Sequence, residues 1–169
     1  MARPKASDSA PYFIRYISKV DADTVSEAIK KYATLVNNFY ATLPEEKADY
    51  AYAPGKWTLK ELLQHVIDAE RIFSYRVLRI ARKDKTPLAS FDENSYAEHS
   101  LAGERSFASI KEEFLAVRKA TDLLLTSLNE EQLSSQGISS EHAVTANAIA
   151  YIMFGHLLHH KEILEERYL

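Results

Sequence analysis

The stretch Gly155-His156-Leu157-Leu158-His159-His160-Lys161-Glu162 lies near the carboxyl end of the chain and holds three of its six histidines. His156 and His160 are four residues apart, so on an α-helix they lie one turn apart on the same face. Two imidazoles in this arrangement can reach one point in space, which favours a divalent metal ion. Because two ligands do not complete a site, the pair predicts a third ligand from another part of the fold.

The best candidate for the third ligand is His65, which follows a clear helix start. Thr58-Leu59-Lys60-Glu61 matches a capping box, in which the threonine oxygen accepts a free backbone N–H and the glutamate reaches back. This helix is predicted to end near Arg82. Counting 100° per residue, the same face carries Leu62, His65, Ala69, Ile72 and Arg76. His65 is therefore expected to point towards the core of the protein.

Apolar residues recur at three- and four-residue spacing in four segments, which predicts four long helices. The helices are expected at about 23–43, 58–82 and 106–128, and from Thr145 through Ile163. Residues 83–104 and 129–142 are predicted to be long connections, and no segment alternates like a strand. These features predict an all-α fold, a four-helix bundle with two longer connections. We expect one domain over residues 12–169, preceded by a flexible arm at 1–11.

Composition excludes several classes of function. The chain has 169 residues, a net charge of −3 and no basic tract, so we expect no nucleic-acid partner. It has no apolar run of the ~20 residues that span a bilayer, so we expect a cytoplasmic protein without a membrane partner. It also has no cysteine, which leaves imidazole and carboxylate as metal donors and excludes a thiolate of its own.

The histidines and Arg76 each have alternative interpretations. A lone histidine on an apolar face is more often a hydrogen-bonded core residue than a ligand, but a bundle that presents histidines from two helices is typical of metal sites. His159 is an alternative ligand that pairs poorly with His156. For Arg76, the sequence favours a solvated end or a structural ion pair over binding of a substrate anion. His99 and His142 are expected in solvated loops.

The ligand set indicates which chemistry a metal could perform. Leu157 follows His156, so the glutamate of an H-E-x-x-H protease motif is absent. Three neutral imidazoles would leave open positions on Zn²⁺ or Ni²⁺, which is typical of catalytic rather than structural sites. Two classes of function therefore compete. One is an enzyme that activates water for hydrolysis or a thiol for transfer, and the other is a non-catalytic metal-binding bundle associated with stress.

Several stretches together resemble the DinB/YfiT-like superfamily of metal-binding four-helix bundles. The stretches are Tyr52-Ala53-Pro54-Gly55-Lys56-Trp57-Thr58-Leu59-Lys60-Glu61, then His65, Asp68-Ala69-Glu70-Arg71-Ile72-Phe73, Arg76, and Gly155-His156 through His159-His160. The resemblance covers about residues 12–169.

This resemblance implies that His65, His156 and His160 hold a divalent metal ion, with zinc or nickel expected. It further implies a small-molecule substrate and a homodimer. Characterised relatives include thiol-dependent S-transferases and isomerases, and others are labelled metal-dependent hydrolases. With no cysteine in the chain, any thiolate would come from a low-molecular-weight thiol cosubstrate.

Overall fold

The computed structural model describes all 169 residues and confirms the predicted all-α fold. Four long helices form the bundle. Two short helices and one β-hairpin lie between them in the chain, and a third short helix precedes them. The helices are α1 (Ile14–Ile17), α2 (Val25–Ala41), α3 (Leu59–Ala81), α4 (Glu93–His99), α5 (Phe107–Thr126), α6 (Glu130–Ser134) and α7 (Ala146–Arg167), and the strands are β1 (Gln136–Ser139) and β2 (His142–Thr145). Both α2 and α3 pack against α5 and α7, so α2 and α3 occupy opposite corners of the bundle.

Side-chain caps fix where the long helices begin. The Thr58 hydroxyl accepts from the Glu61 N–H at 3.2 Å, and the Glu61 carboxylate accepts from the Thr58 N–H at 2.7 Å. This confirms the predicted capping box. Thr145, where the fourth helix is predicted to begin, caps α7 by accepting from the Ala148 N–H at 3.1 Å. Each such cap contributes about 1 kcal/mol, and the cap on Thr58 fixes the start of the helix that carries His65.

The α7 helix is the central element of the bundle. Residues 146–157 are buried on every side of the helix rather than along one stripe. Gly155 lies against α1 so closely that a Cβ built on it would be 2.0 Å from the Tyr16 carbonyl oxygen. Glycine at this position therefore lets α1 cover the helix beside His156. None of the helices combines the length and the apolar character that a membrane-spanning segment needs.

The two connections contain more regular structure than the sequence predicts. The first contains α4, and the second contains α6 and the hairpin of β1 and β2. Ser139 pairs with His142, so Ser140 and Glu141 form a two-residue turn, with φ angles of 50° and 67°. Turns of this type usually carry asparagine or glycine. The absence of those residues is why the hairpin was not predicted from the sequence.

Residues 1–11, predicted to be a flexible arm, contact the bundle at several points. The Arg3 guanidinium donates to the carbonyl oxygens of Ile17 and Val20. The Asn147 side chain of α7 donates to the Ala2 carbonyl oxygen at 2.9 Å. These contacts hold the arm across the start of α7, and the division of the chain at residue 11 stays a prediction.

Candidate metal centre

The three histidines singled out by the sequence meet in the core between α3 and α7. His65 comes from α3, and His156 and His160 come from successive turns of α7. The His156 Nε2 atom lies 3.2 Å from His65 Nε2 and 3.1 Å from His160 Nε2. One nitrogen from each ring lies within 4.8 Å of the other two, and no other histidine or carboxylate belongs to this group. We refer to it as the histidine cluster.

The histidine cluster is buried and uncharged. The three residues are only 6%, 6% and 8% exposed, in the order His65, His156 and His160. Burial lowers the pKa of His65 from 6.5 to about 4. Burial also lowers the pKa values of His156 and His160 well below 6.5, and neighbouring histidines lower them further. The rings are therefore neutral at pH 7, the form that can bind a metal.

The arrangement of ring nitrogens fits a cation better than it fits hydrogen bonding among the rings. A ring nitrogen carries either one N–H or one lone pair in the ring plane. The His156 Nε2 atom therefore satisfies only one of its two neighbours, which leaves the other contact unpaired. Nitrogens bound to one tetrahedral zinc ion at about 2.0–2.1 Å lie about 3.3–3.4 Å apart. The observed separations of 3.1 and 3.2 Å are close to that value.

Aromatic side chains hold the rings of the cluster in place. Trp57 lies over His65 with ring centroids 4.7 Å apart, and Tyr16 and Phe73 approach His156 edge-on at 5.6 and 5.8 Å. Metal-bound imidazoles usually donate their second N–H to a carboxylate or carbonyl, so the candidate site predicts such a partner for each of the three rings. That expectation is wrong for His160, whose Nδ1 atom is buried without a partner. Packing, rather than hydrogen bonding, therefore orients this site.

The remaining histidines lie outside the cluster. The His159 ring is half-buried, and its centroid is 5.2 Å from that of His160. His99 and His142 are exposed, as expected, but the expectation that they lie in loops is wrong. His99 ends α4, and His142 begins β2. Of the six histidines, only the three of the cluster have ring nitrogens that all lie within 4.8 Å of one another.

Two cavities adjoin the cluster from different sides. The first, about 160 Å³, is lined by His65 and His156 together with Arg15 and Arg76, and we refer to it as the arginine cavity. The second, about 240 Å³, is lined by His160 and Trp57. A third cavity, about 590 Å³, lies between the start of α2 and the end of α5 and is lined by no histidine. A small molecule could therefore approach the cluster through either adjoining cavity.

Arg76 differs from what the sequence favoured. It is 4% exposed and so is not a solvated helix end. Its Nη2 atom donates to the Ala89 carbonyl oxygen at 2.7 Å and lies 3.4 Å from Ser140 Oγ. The arginine ion pairs of α3 involve Arg71 and Arg79, not Arg76. The predicted structural ion pair is therefore absent.

Comparison with known proteins identifies similar folds. YfiT from Bacillus subtilis, described as a probable metal-dependent hydrolase with an unusual four-helix bundle topology, is 15% identical, with a TM-score of 0.71. That match covers 96% of this chain and 89% of YfiT. A mycothiol-dependent maleylpyruvate isomerase is 13% identical, with a TM-score of 0.66, over 83% of this chain and 62% of that one. At these identities the likeness shows the fold alone.

Comparison of sequences identifies one similar protein and one matching family. A protein of Oceanobacillus iheyensis, named as a candidate metal-dependent hydrolase, is 28% identical over 83 residues, which cover 47% of each protein. The chain thus matches about half the length of that curated relative. Residues 28–164, which include all three histidines of the cluster, match the profile of the DinB superfamily. Because this match spans most of the sequence, and the fold agrees with it, the chain belongs to the DinB superfamily.

Proposed function

We propose that His65, His156 and His160 bind a divalent metal ion, zinc or nickel, and that the protein is a metal-dependent enzyme of the hydrolase or thiol S-transferase type. The observation that supports this most is the approach of two buried atoms, His65 Nε2 and His160 Nε2, to His156 Nε2, at 3.2 and 3.1 Å. The single N–H or lone pair of His156 Nε2 gives a well-directed hydrogen bond to only one of these two neighbours. Two of the similar proteins are described as metal-dependent hydrolases, which supports the same proposal.

The surroundings of the cluster favour catalysis over a purely structural ion. The group has three protein ligands and no fourth histidine or carboxylate, so a bound ion would keep a position for a water or a substrate. An ion there would supply Lewis-acid chemistry, lowering the pKa of a water or of a thiol that it binds. The protein contributes neutral rings, a fixed geometry and access through the arginine cavity.

Metal content tests the proposed ligands. We expect wild-type protein purified without a tag, then incubated with zinc and desalted, to carry about one ion per chain. We expect His65→Ala, His156→Ala and His160→Ala each to lose most of it, because two imidazoles bind far more weakly than three. His159→Ala is the matched control, since His159 adjoins the cluster without joining it, and should keep the ion. Undiminished zinc in all three variants would disprove the site.

The second candidate is a non-catalytic metal-binding bundle. The burial of all three rings favours it, because an ion at this point would tie α3 to α7. Loading the protein with Co²⁺ separates the two candidates. If a coordination position is open, we expect the visible spectrum of Co²⁺ to change when a low-molecular-weight thiol is added. An unchanged spectrum, together with a zinc-dependent rise in melting temperature, would support the structural role.

Activity assays with and without an added thiol would distinguish the two types of reaction. The chain has no cysteine, so S-transfer would need a thiol cosubstrate. Activity on electrophilic substrates that requires added thiol would identify a transferase, and activity on esters or amides without thiol would identify a hydrolase. The homodimer stays a prediction, and sedimentation at micromolar concentration would test it.

A further inference from the structure

Arg76 is a buried cation that forms no ion pair with a carboxylate of the chain. It lies on α3, about three turns beyond His65, and is only 4% exposed. Its contacts are a carbonyl oxygen and a distant hydroxyl, both of which are neutral. Burying a charge is costly unless it is paired with an opposite charge. The position is therefore suited to an anion that comes from outside the chain.

The arginine cavity has an excess of positive charge around Arg76. Arg15 also lines it, and the Arg15 Nη2 atom donates to the Tyr16 hydroxyl at 3.0 Å. Glu93 is the one carboxylate in the lining, so two guanidinium groups face a single negative charge. Tyr12 also lines the cavity: burial raises its pKa, Tyr16 and Glu93 raise it further, and Arg76 and Arg15 lower it. A divalent ion on the neutral histidines would increase the positive excess.

The size and walls of the cavity restrict which anion fits. Its volume is about 160 Å³, and an engineered cavity of about 150 Å³ is known to hold benzene. The rings of Phe13, Phe73 and Phe91 line it, and Phe73 and Phe91 also flank the Arg76 guanidinium, at 5.8 and 5.9 Å. The walls thus suit a small apolar body, and the guanidinium suits an oxyanion attached to it.

We infer that the arginine cavity binds a small carboxylate substrate, with Arg76 pairing with the carboxylate and the apolar body lying against the aromatic walls towards His65 and His156. This inference rests on the proposed function for its link to catalysis, since the substrate would reach the metal from this side. Arg76 would then be a specificity residue that holds the substrate in register with the histidine cluster.

Binding of benzoate, compared with the neutral analogue benzamide, tests the inference. We expect titration calorimetry to show that wild-type protein binds benzoate at least about tenfold more tightly than benzamide, which has the same shape without the charge. We expect Arg76→Gln to weaken benzoate binding about tenfold or more, and Arg76→Lys to weaken it less. Equal affinity for the two compounds in wild type would overturn the inference without reference to any variant.

Controls separate this inference from effects on folding. Arg71→Gln removes an arginine from the exposed side of the same helix, where it pairs with Glu113, and should leave benzoate affinity unchanged. Full retention of benzoate binding by folded Arg76→Gln would contradict the inference. Inorganic phosphate is the third probe, and phosphate binding as tight as that of benzoate would overturn the choice of a carboxylate.

Measuring both metal-free and zinc-loaded protein separates this inference from the proposed function. Benzoate binding that depends on Arg76 in metal-free protein would support the inference even if the histidines bind no ion. Zinc binding without benzoate binding in either form would overturn the inference and leave the proposed metal site intact.

Discussion

The α3 helix contributes a polar residue to each of two buried clusters. On the side of α5, Glu70 accepts a hydrogen bond from Arg118 Nη1 at 2.8 Å, and Arg118 also pairs with Asp122. On the side of α7, His65 meets His156 and His160. Glu70, Arg118 and the three histidines are all less than 10% exposed. Each cluster therefore contains one buried polar residue of α3. The two clusters differ in which groups compensate the cost of burying that residue.

In the Glu70–Arg118–Asp122 cluster, the chain supplies both signs of charge. Burial raises the pKa of Glu70, and the positive charge of Arg118 offsets part of that rise. The Arg118 guanidinium also lies over the Phe154 ring, 5.2 Å from its centroid. Neither the histidine cluster nor Arg76 forms an ion pair with a carboxylate of the chain. The difference indicates that the first cluster is structural, and it supports the proposals that the histidine cluster and Arg76 bind groups from outside the chain.

The largest expected effect is a difference in the free energy of unfolding between two variants, each of which removes one member of one cluster. Arg118→Leu would leave Glu70 and Asp122 without their cation, so we expect the free energy of unfolding to fall by about 3–5 kcal/mol. His65→Leu removes an imidazole whose Nε2 atom must share its one ring partner, His156 Nε2, with His160. In metal-free protein we therefore expect no loss, or a gain of about 1 kcal/mol. Urea denaturation of both variants measures this, and equal losses would contradict the distinction between the clusters.

A smaller effect is expected where the histidine cluster depends on a close backbone approach. Gly155→Ala places a Cβ 2.0 Å from the Tyr16 carbonyl oxygen, so α1 must move. We expect a loss of about 1–3 kcal/mol in the free energy of unfolding, with weaker benzoate binding because Arg15 and Tyr16 line the arginine cavity.

The matched control for this change is Gly103→Ala, where a Cβ meets no atom within 4 Å. It should change the free energy of unfolding by no more than about 0.5 kcal/mol. If both alanine variants behave alike, the contact between α1 and α7 does not shape the site.

The smallest expected effect is a dependence of the free energy of unfolding on pH. The folded-state pKa of His65, about 4, lies below the usual value of 6.5. Between these values the unfolded chain binds a proton that the folded protein does not, so stability falls as pH falls from 6.5 towards 4. His65 alone accounts for up to about 1.4 kcal/mol per pH unit. We expect denaturation of metal-free His65→Gln between pH 6 and pH 5 to show a slope reduced by up to that amount. A slope equal to that of wild type would show that the buried ring is protonated in the folded state.

Local sequence signals identified the helices and the candidate ligands. Periodicity of apolar residues predicted the four long helices, and Thr58 with Glu61 predicted the start of α3. The four-residue spacing of His156 and His160 predicted their shared face. These features depend on residues within one or two turns, where helical geometry alone fixes which side chains are neighbours.

Features that depend on strained or irregular backbone were missed. The hairpin of β1 and β2 uses positive φ angles at Ser140 and Glu141, residues that do not mark such a turn in a sequence. The α4 helix begins at an Asp92 cap within a stretch of mixed, largely exposed residues, so no apolar stripe revealed it. Their positions matter for the site, since Ser140 and Glu93 line the arginine cavity.

The sequence by itself determined the all-α class, the helix starts and the histidines worth considering, because each is encoded in the pattern of near neighbours. Only the tertiary structure decided that His65 meets His156, 91 positions away, and that Arg76 finds a carbonyl rather than a carboxylate. Both outcomes depend on how α3 packs against α7 and on the connection that follows α3. Packing between distant segments is set by the whole core, and no single stretch of the chain specifies it.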